Sequence, residues 1–128
     1  MLGKTNLVAF LPTTDYAKAR AFLVDILGLG FVSQDDFALV LDANGIMLRV
    51  TKIRDHKPEQ YTILGWNVKG IEDAVAQLEG RGVNFERYGF LEQDAHGIWT
   101  APGGDKVAWF KDPDGNVLSL SEHVEHRL

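Results

Sequence analysis

The chain has no cysteine in its 128 residues. That absence removes disulfide staples, thiolate zinc sites and a cysteine nucleophile together. Long apolar runs are missing as well: the hydrophobic stretches are strand-sized, against the roughly 20 residues a membrane-spanning helix requires, so no membrane partner is expected. Met1-Leu2-Gly3-Lys4 leads straight into a strand pattern without signal-peptide design, and a cytoplasmic location is the expectation. Nor is there a basic cluster. With a net charge of −5 and scattered lysine and arginine, the chain carries no electrostatic footprint for nucleic acid. A small-molecule or protein partner is left.

What is present is ordinary globular composition, 45% hydrophobic and 24% charged, enough for one domain or for two small modules sharing a core. One nine-residue pattern occurs twice. Asp112-Pro113-Asp114-Gly115-Asn116-Val117-Leu118-Ser119-Leu120 matches Asp42-Ala43-Asn44-Gly45-Ile46-Met47-Leu48-Arg49-Val50, with Ala38 and Ala108 equivalent upstream. An Asx-Gly turn between two strand-like runs is a strong hairpin signal, and two in matching contexts imply that one supersecondary unit is used twice.

The surrounding residues extend the repeat. Thr5 to Pro12 reads as a buried strand. Thr13-Thr14-Asp15 offers N-cap oxygens, and Tyr16, Ala19, Phe22, Leu23, Ile26 and Leu27 follow at helical spacing before Gly28 and Gly30. Strands are expected near 30–34, 37–42 and 46–52. After a polar linker at 53–60 the order restarts: a strand at 61–68, a helix at 71–80, then strands near 83–88, 106–111 and 116–121. Module one is thus about 5–52 and module two about 61–122, each β-α-β-β-β. The helices align at a spacing of 55 residues (Ala19 with Ala74, Leu23 with Leu78) and the hairpins at 70, so 15 extra residues belong to module two. The segment 88–105 supplies them.

Pro12-Thr13-Thr14-Asp15, Leu27-Gly28-Leu29-Gly30 and Phe110-Lys111-Asp112-Pro113-Asp114-Gly115-Asn116, in this order within paired modules, resemble the vicinal oxygen chelate superfamily, the glyoxalase, bleomycin-resistance and extradiol dioxygenase group. The resemblance implies an α+β fold: two tandem βαβββ modules whose curled mixed sheets surround a cavity. It also implies metal ligands on the first and last strand of each module. Carried over by spacing, those positions are Val8, Arg49, Ile63 and Ser119, and none is a plausible ligand. No metal and no cofactor is therefore expected.

Of the four histidines, His56 falls in the linker and His96 in the inserted segment. His123 and His126 read as solvated tail residues near Glu122. His96 beside Asp94 is the one pair with acid–base potential, and no catalytic residue is assigned.

By strand alternation, the cavity implied by the resemblance takes Val8, Phe10, Pro12, Met47, Arg49 and Thr51 from module one. Module two gives Ile63, Gly65, Asn67, Val117, Ser119, Ser121 and Trp109, with Trp99 at the mouth. Phe110 should pack on a helix and Trp66 in the core. Arg49 stands out, because a guanidinium in a cavity needs a partner. That partner is a ligand carboxylate or phosphate, or else an internal acidic residue; a simple exposed strand arginine is the remaining possibility.

Three functions stay open. One is a metal-independent protein binding a small organic, anionic or aromatic ligand through Val8, Phe10, Met47, Arg49, Ile63, Asn67, Trp99, Trp109 and Ser119. Another is a metal-dependent lyase, isomerase or dioxygenase. The third is metal-free catalysis with His96 or Asp94 as base. The resemblance further implies a homodimer.

Overall fold

Of the three candidate cap residues, Asp15 closes the first helix. In a computed structural model, which describes residues 1–124, its carboxylate accepts hydrogen bonds from the backbone N–H groups of Ala17 and Lys18, capping α1 (Tyr16–Arg20). The chain continues into a wider turn, Ala21–Ile26, where the Leu27 N–H reaches back to the Phe22 carbonyl. Gly28, at φ 84°, ends it. Ala19, Phe22 and Leu23 are the buried residues of this stretch.

The chain divides into two units, Met1–Lys57 and Pro58–Leu128. In the first, β1 (Val8–Thr13), β2 (Gly30–Gln34), β3 (Leu39–Ala43) and β4 (Ile46–Lys52) form a sheet in the order β1-β4-β3-β2. β1 runs parallel to β4, and the other pairs are antiparallel. The β3–β4 hairpin turns through Asn44 at φ 52° and Gly45 at φ 88°. A two-residue hairpin needs both of these left-handed conformations, and the Asp42 carboxylate accepts a hydrogen bond from the Gly45 N–H. Leu11, Leu39, Leu41, Leu48 and Val50 are buried on one face of the sheet, each contributing about 2 kcal/mol through area removed from water.

The second unit repeats the plan. Its sheet has the order β5-β8-β7-β6, built from β5 (Thr62–Asn67), β6 (Trp99–Thr100), β7 (Lys106–Lys111) and β8 (Val117–Glu122). Helix α2 (Ile71–Gly80) packs on it through Ile71 and Val75. Phe110 is fully buried among the core residues and stacks on Trp66, 6.4 Å between ring centroids. The start of α2 is capped from a distance: the Glu122 carboxylate on β8 accepts from the N–H groups of Gly70 and Ile71. Two open, mixed four-stranded sheets with their helices make an α+β fold.

One expected strand is corrected. Residues 83–88 do not form a continuous strand; the fourth position of the second sheet is shared by two pieces of chain. Phe85 bridges Phe110, and the Glu86 N–H donates to the Trp109 carbonyl. Further along the same edge of β7, Trp99 pairs with Val107 and Thr100 with Lys106. The extra residues therefore interrupt the fourth strand rather than join two complete ones. Side chains take over where the ladder stops. The Gln93 amide donates to the Glu86 and Gly97 carbonyls and accepts from the Tyr88 N–H.

Candidate functional site

In the first unit the register sets Val8 opposite Met47, Phe10 opposite Arg49, and Arg49 opposite Val40. These residues share the sheet face away from the leucine core. Phe10 is 63% exposed, and Arg49 lies half-buried among apolar neighbours. Among the described residues its guanidinium makes no hydrogen bond or ion pair. Asp35 feels its charge: that carboxyl sits below the ordinary range chiefly because the Phe37 and Ala38 N–H groups bond to it, with Arg49 a minor cause.

In the second unit the corresponding rows are Gly65–Ser119–Trp109 and Asn67–Ser121–Val107–Trp99. Ile63 departs from the expected pattern. A bulge between Thr62 and Leu64 leaves Thr62 opposite Val117, and Ile63 has no partner in the register. Gly65 leaves room for its neighbour: a Cβ there would come within 2.9 Å of the Ser119 hydroxyl and force it to turn. Trp109 is half-buried in a row whose other members, Ser119 and Gly65, are small.

Trp109 belongs to a cluster of four aromatic rings. Trp99 lies 6.1 Å away at an interplanar angle of 35°, Tyr88 meets it edge-on at 5.4 Å, and Phe90 follows Tyr88 at 5.7 Å. Burial, with the Glu86 carboxylate adding to it, pushes the Tyr88 hydroxyl above its usual pKa, so it stays a neutral donor at physiological pH. Phe90, Gln93, Asp94, Ile98, Trp99 and Pro102 border a cleft of about 560 Å³, within the size range of small-molecule sites. Sequence reasoning missed Tyr88 and Phe90. The signal was available: two aromatics two apart, flanking Gly89, directly after a strand-like run.

His96 and Asp94 have other partners. One Asp94 oxygen accepts from the N–H groups of His96 and Ile98, forming the loop's own turn. The His96 ring bonds Glu79 on α2 at 3.1 Å. His123 is not a free tail residue, since both ring nitrogens have partners, Ser121 and Asp105. His126 lies outside the described residues.

A sequence profile of the Glyoxalase/Bleomycin resistance protein/Dioxygenase superfamily matches residues 5–120. The chain belongs to this superfamily. Solved structures agree on the fold of this glyoxalase-superfamily chain. A glyoxalase family protein from Enterococcus faecalis superposes with a TM-score of 0.74 at 23% identity, over 95% of this chain and 100% of that one. TnmS3, an antibiotic binding protein from Streptomyces sp. CB03234, gives 0.72 at 23% identity, over 95% and 98%. A lactoylglutathione lyase from Agrobacterium tumefaciens gives 0.71 at 18% identity, over 92% and 93%. No curated protein sequence matches. At such identities the likeness establishes fold, and chemistry has to come from the residues.

Those residues do not fit a divalent metal at the positions the superfamily resemblance points to. In the first unit they are Val8 and Arg49, and in the second Ile63 and Ser119. Hydrocarbon, guanidinium and a single hydroxyl do not make a ligand set. Among the described residues no three His, Asp or Glu side chains come together as a metal-binding group.

Among the described residues no helix is long and apolar enough to cross a membrane.

Proposed function

We propose that this chain is a metal-independent small-molecule-binding member of the glyoxalase/bleomycin-resistance superfamily, which holds a planar organic ligand against Trp109 and Trp99. The observation that carries this reading is the ring cluster of Trp99, Trp109, Tyr88 and Phe90 beside an open cleft. Aromatic faces stack on planar ligands with little loss of conformational entropy. The likeness to an antibiotic binding protein supports the same class. The positions where the resemblance places the family's metal ligands carry Val8, Arg49, Ile63 and Ser119, which supports a metal-independent mode.

Tryptophan fluorescence tests the reading directly. Titration with planar aromatic compounds should quench emission saturably, and protein treated with EDTA should bind as well as untreated protein. A stoichiometric metal in the purified protein, whose removal abolishes binding, would instead favour a metal-dependent lyase or dioxygenase.

Arg49 gives a second, separate prediction. As a half-buried cation it suits a carboxylate or phosphate held by paired hydrogen bonds. Arg49→Ala should weaken anionic ligands about tenfold, in line with a lost charge-assisted hydrogen bond, and leave neutral analogues unchanged. Equal affinities for both classes in the variant and the parent would remove Arg49 from recognition.

A further inference from the structure

Three side chains at the end of β8 are linked in a line. Ser121 Oγ lies 3.0 Å from His123 Nε2, and His123 Nδ1 lies 2.9 Å from Asp105 Oδ2. An ionised carboxylate only accepts hydrogen bonds, so the Nδ1 proton belongs on the Asp105 side. In the neutral ring, Nε2 then keeps a lone pair for the Ser121 hydroxyl proton. The ionised form of Asp105 is favoured, since the Val124 N–H and His123 hold its carboxyl below the ordinary value. A hydroxyl within reach of a base, and a base whose tautomer and orientation a carboxylate fixes, together activate a nucleophile.

The surroundings supply more than the line itself. Asn67 is the register partner of Ser121 on β5. Asn67, Val68, Lys69, Glu122 and His123 border a pocket of about 280 Å³. Glu122 is occupied in capping α2. The Asn67 carboxamide and the Lys69 ammonium make no hydrogen bond or ion pair among the described residues, which leaves both as hydrogen-bond donors at the rim of that pocket.

We propose that Ser121, His123 and Asp105 form an acyl-transfer site that hydrolyses small esters. Ser121 Oγ attacks the ester carbonyl while His123 Nε2 takes its proton. The C–O bond to the alcohol then breaks, and the alcohol leaves with that proton. Water, deprotonated by His123, attacks the acyl-serine; the carboxylic acid departs and Ser121 regains its proton. The sum is ester plus water to acid plus alcohol. Of the three residues, His123 borders the pocket, whose volume suits a short acyl chain. The His123 and Asp105 side chains are 41% and 42% exposed, so the site lacks the dry surroundings that strengthen electrostatic stabilisation, and turnover should be slow.

The test uses the full chain with p-nitrophenyl acetate and, separately, a fluorophosphonate. We expect ester hydrolysis that falls about a hundredfold or more in Ser121→Ala and in His123→Gln, the scale of losing a nucleophile or its general base. Mass spectrometry should find the fluorophosphonate adduct on the peptide containing Ser121 in the parent protein and none on that peptide in His123→Gln. An unmodified Ser121 in the parent, or a Ser121→Ala rate within about twofold of the parent, would overturn the proposal. The adduct is read without any variant, so a poorly folding substitution cannot mask the result. Planar-ligand titration reads the aromatic cluster and ester turnover reads Ser121, so either proposal can fail alone.

Discussion

Trp109→Ala should weaken binding of a planar aromatic ligand by about tenfold to a hundredfold, because stacking on one aromatic face is worth about 1–3 kcal/mol. Trp109 is the residue of choice because two other rings, Trp99 and Tyr88, touch it directly, whereas Phe90 reaches it only through Tyr88. Loss of the central ring removes a stacking face and also the support that orients its neighbours. Trp109→Phe keeps a smaller face and should recover part of the affinity. Isothermal titration calorimetry on both variants, with thermal melts to confirm folding, decides the matter. Unchanged affinity in Trp109→Ala would remove the aromatic cluster from the binding site.

Asp112→Ala should cost about 3 kcal/mol of folding stability, read by urea denaturation, whereas Asp42→Ala at the equivalent turn should cost about 1. The difference is burial. Asp42 is exposed and accepts one hydrogen bond, from the Gly45 N–H. Asp112 is buried and accepts three, from the N–H groups of Asp114 and Asn116 and from the Asn116 carboxamide. Asn116 is itself only 1% exposed, so truncating Asp112 strands buried donors.

The comparison belongs at one fixed pH. Desolvation, the largest influence on Asp112, raises its carboxyl above the ordinary 3.8, against the lowering effect of its hydrogen bonds. The folded chain then holds this proton more tightly than the unfolded chain does. The group's protonation-linked contribution is complete below the unfolded value and declines as pH rises through the folded one. Equal losses at the two turns would show that the buried network adds nothing.

The repeated Asx-Gly hairpin made most of the fold legible in the sequence. Each copy joins two strands of its sheet through a positive-φ glycine, Gly45 or Gly115, although the first loop has two residues and the second five, and their spacing set the module boundaries and the size of the insertion. Alternation along β1 and β4 also placed Val8, Phe10, Met47 and Arg49 on one face, because an uninterrupted parallel pairing preserves parity. Parity failed at Ile63, where a bulge that leaves no mark in residue type resets the register. The link between Ser121, His123 and Asp105 was equally hidden. Asp105 opens the approach to β7 and His123 follows β8, so their meeting depends on antiparallel pairing of two strands rather than on any local motif. Tyr88 and Phe90 lay inside what read as extra loop, and an interrupted strand leaves no periodicity to count.

That interruption has a consequence for how the protein can change. Residues 87–98 leave the edge of β7 and return to it, held by the Gln93 amide, the Asp94 carboxylate and a single Gln93–Trp99 bridge rather than by a continuous ladder. Apart from Ile98, which is buried in the core, their length and sequence are thus uncoupled from the sheet ladder. Yet they carry two of the four clustered rings, Tyr88 and Phe90, and Phe90 borders the cleft. New ligand preferences can arise by swapping one short cassette on an unchanged scaffold, an evolvability that a continuous fourth strand would deny.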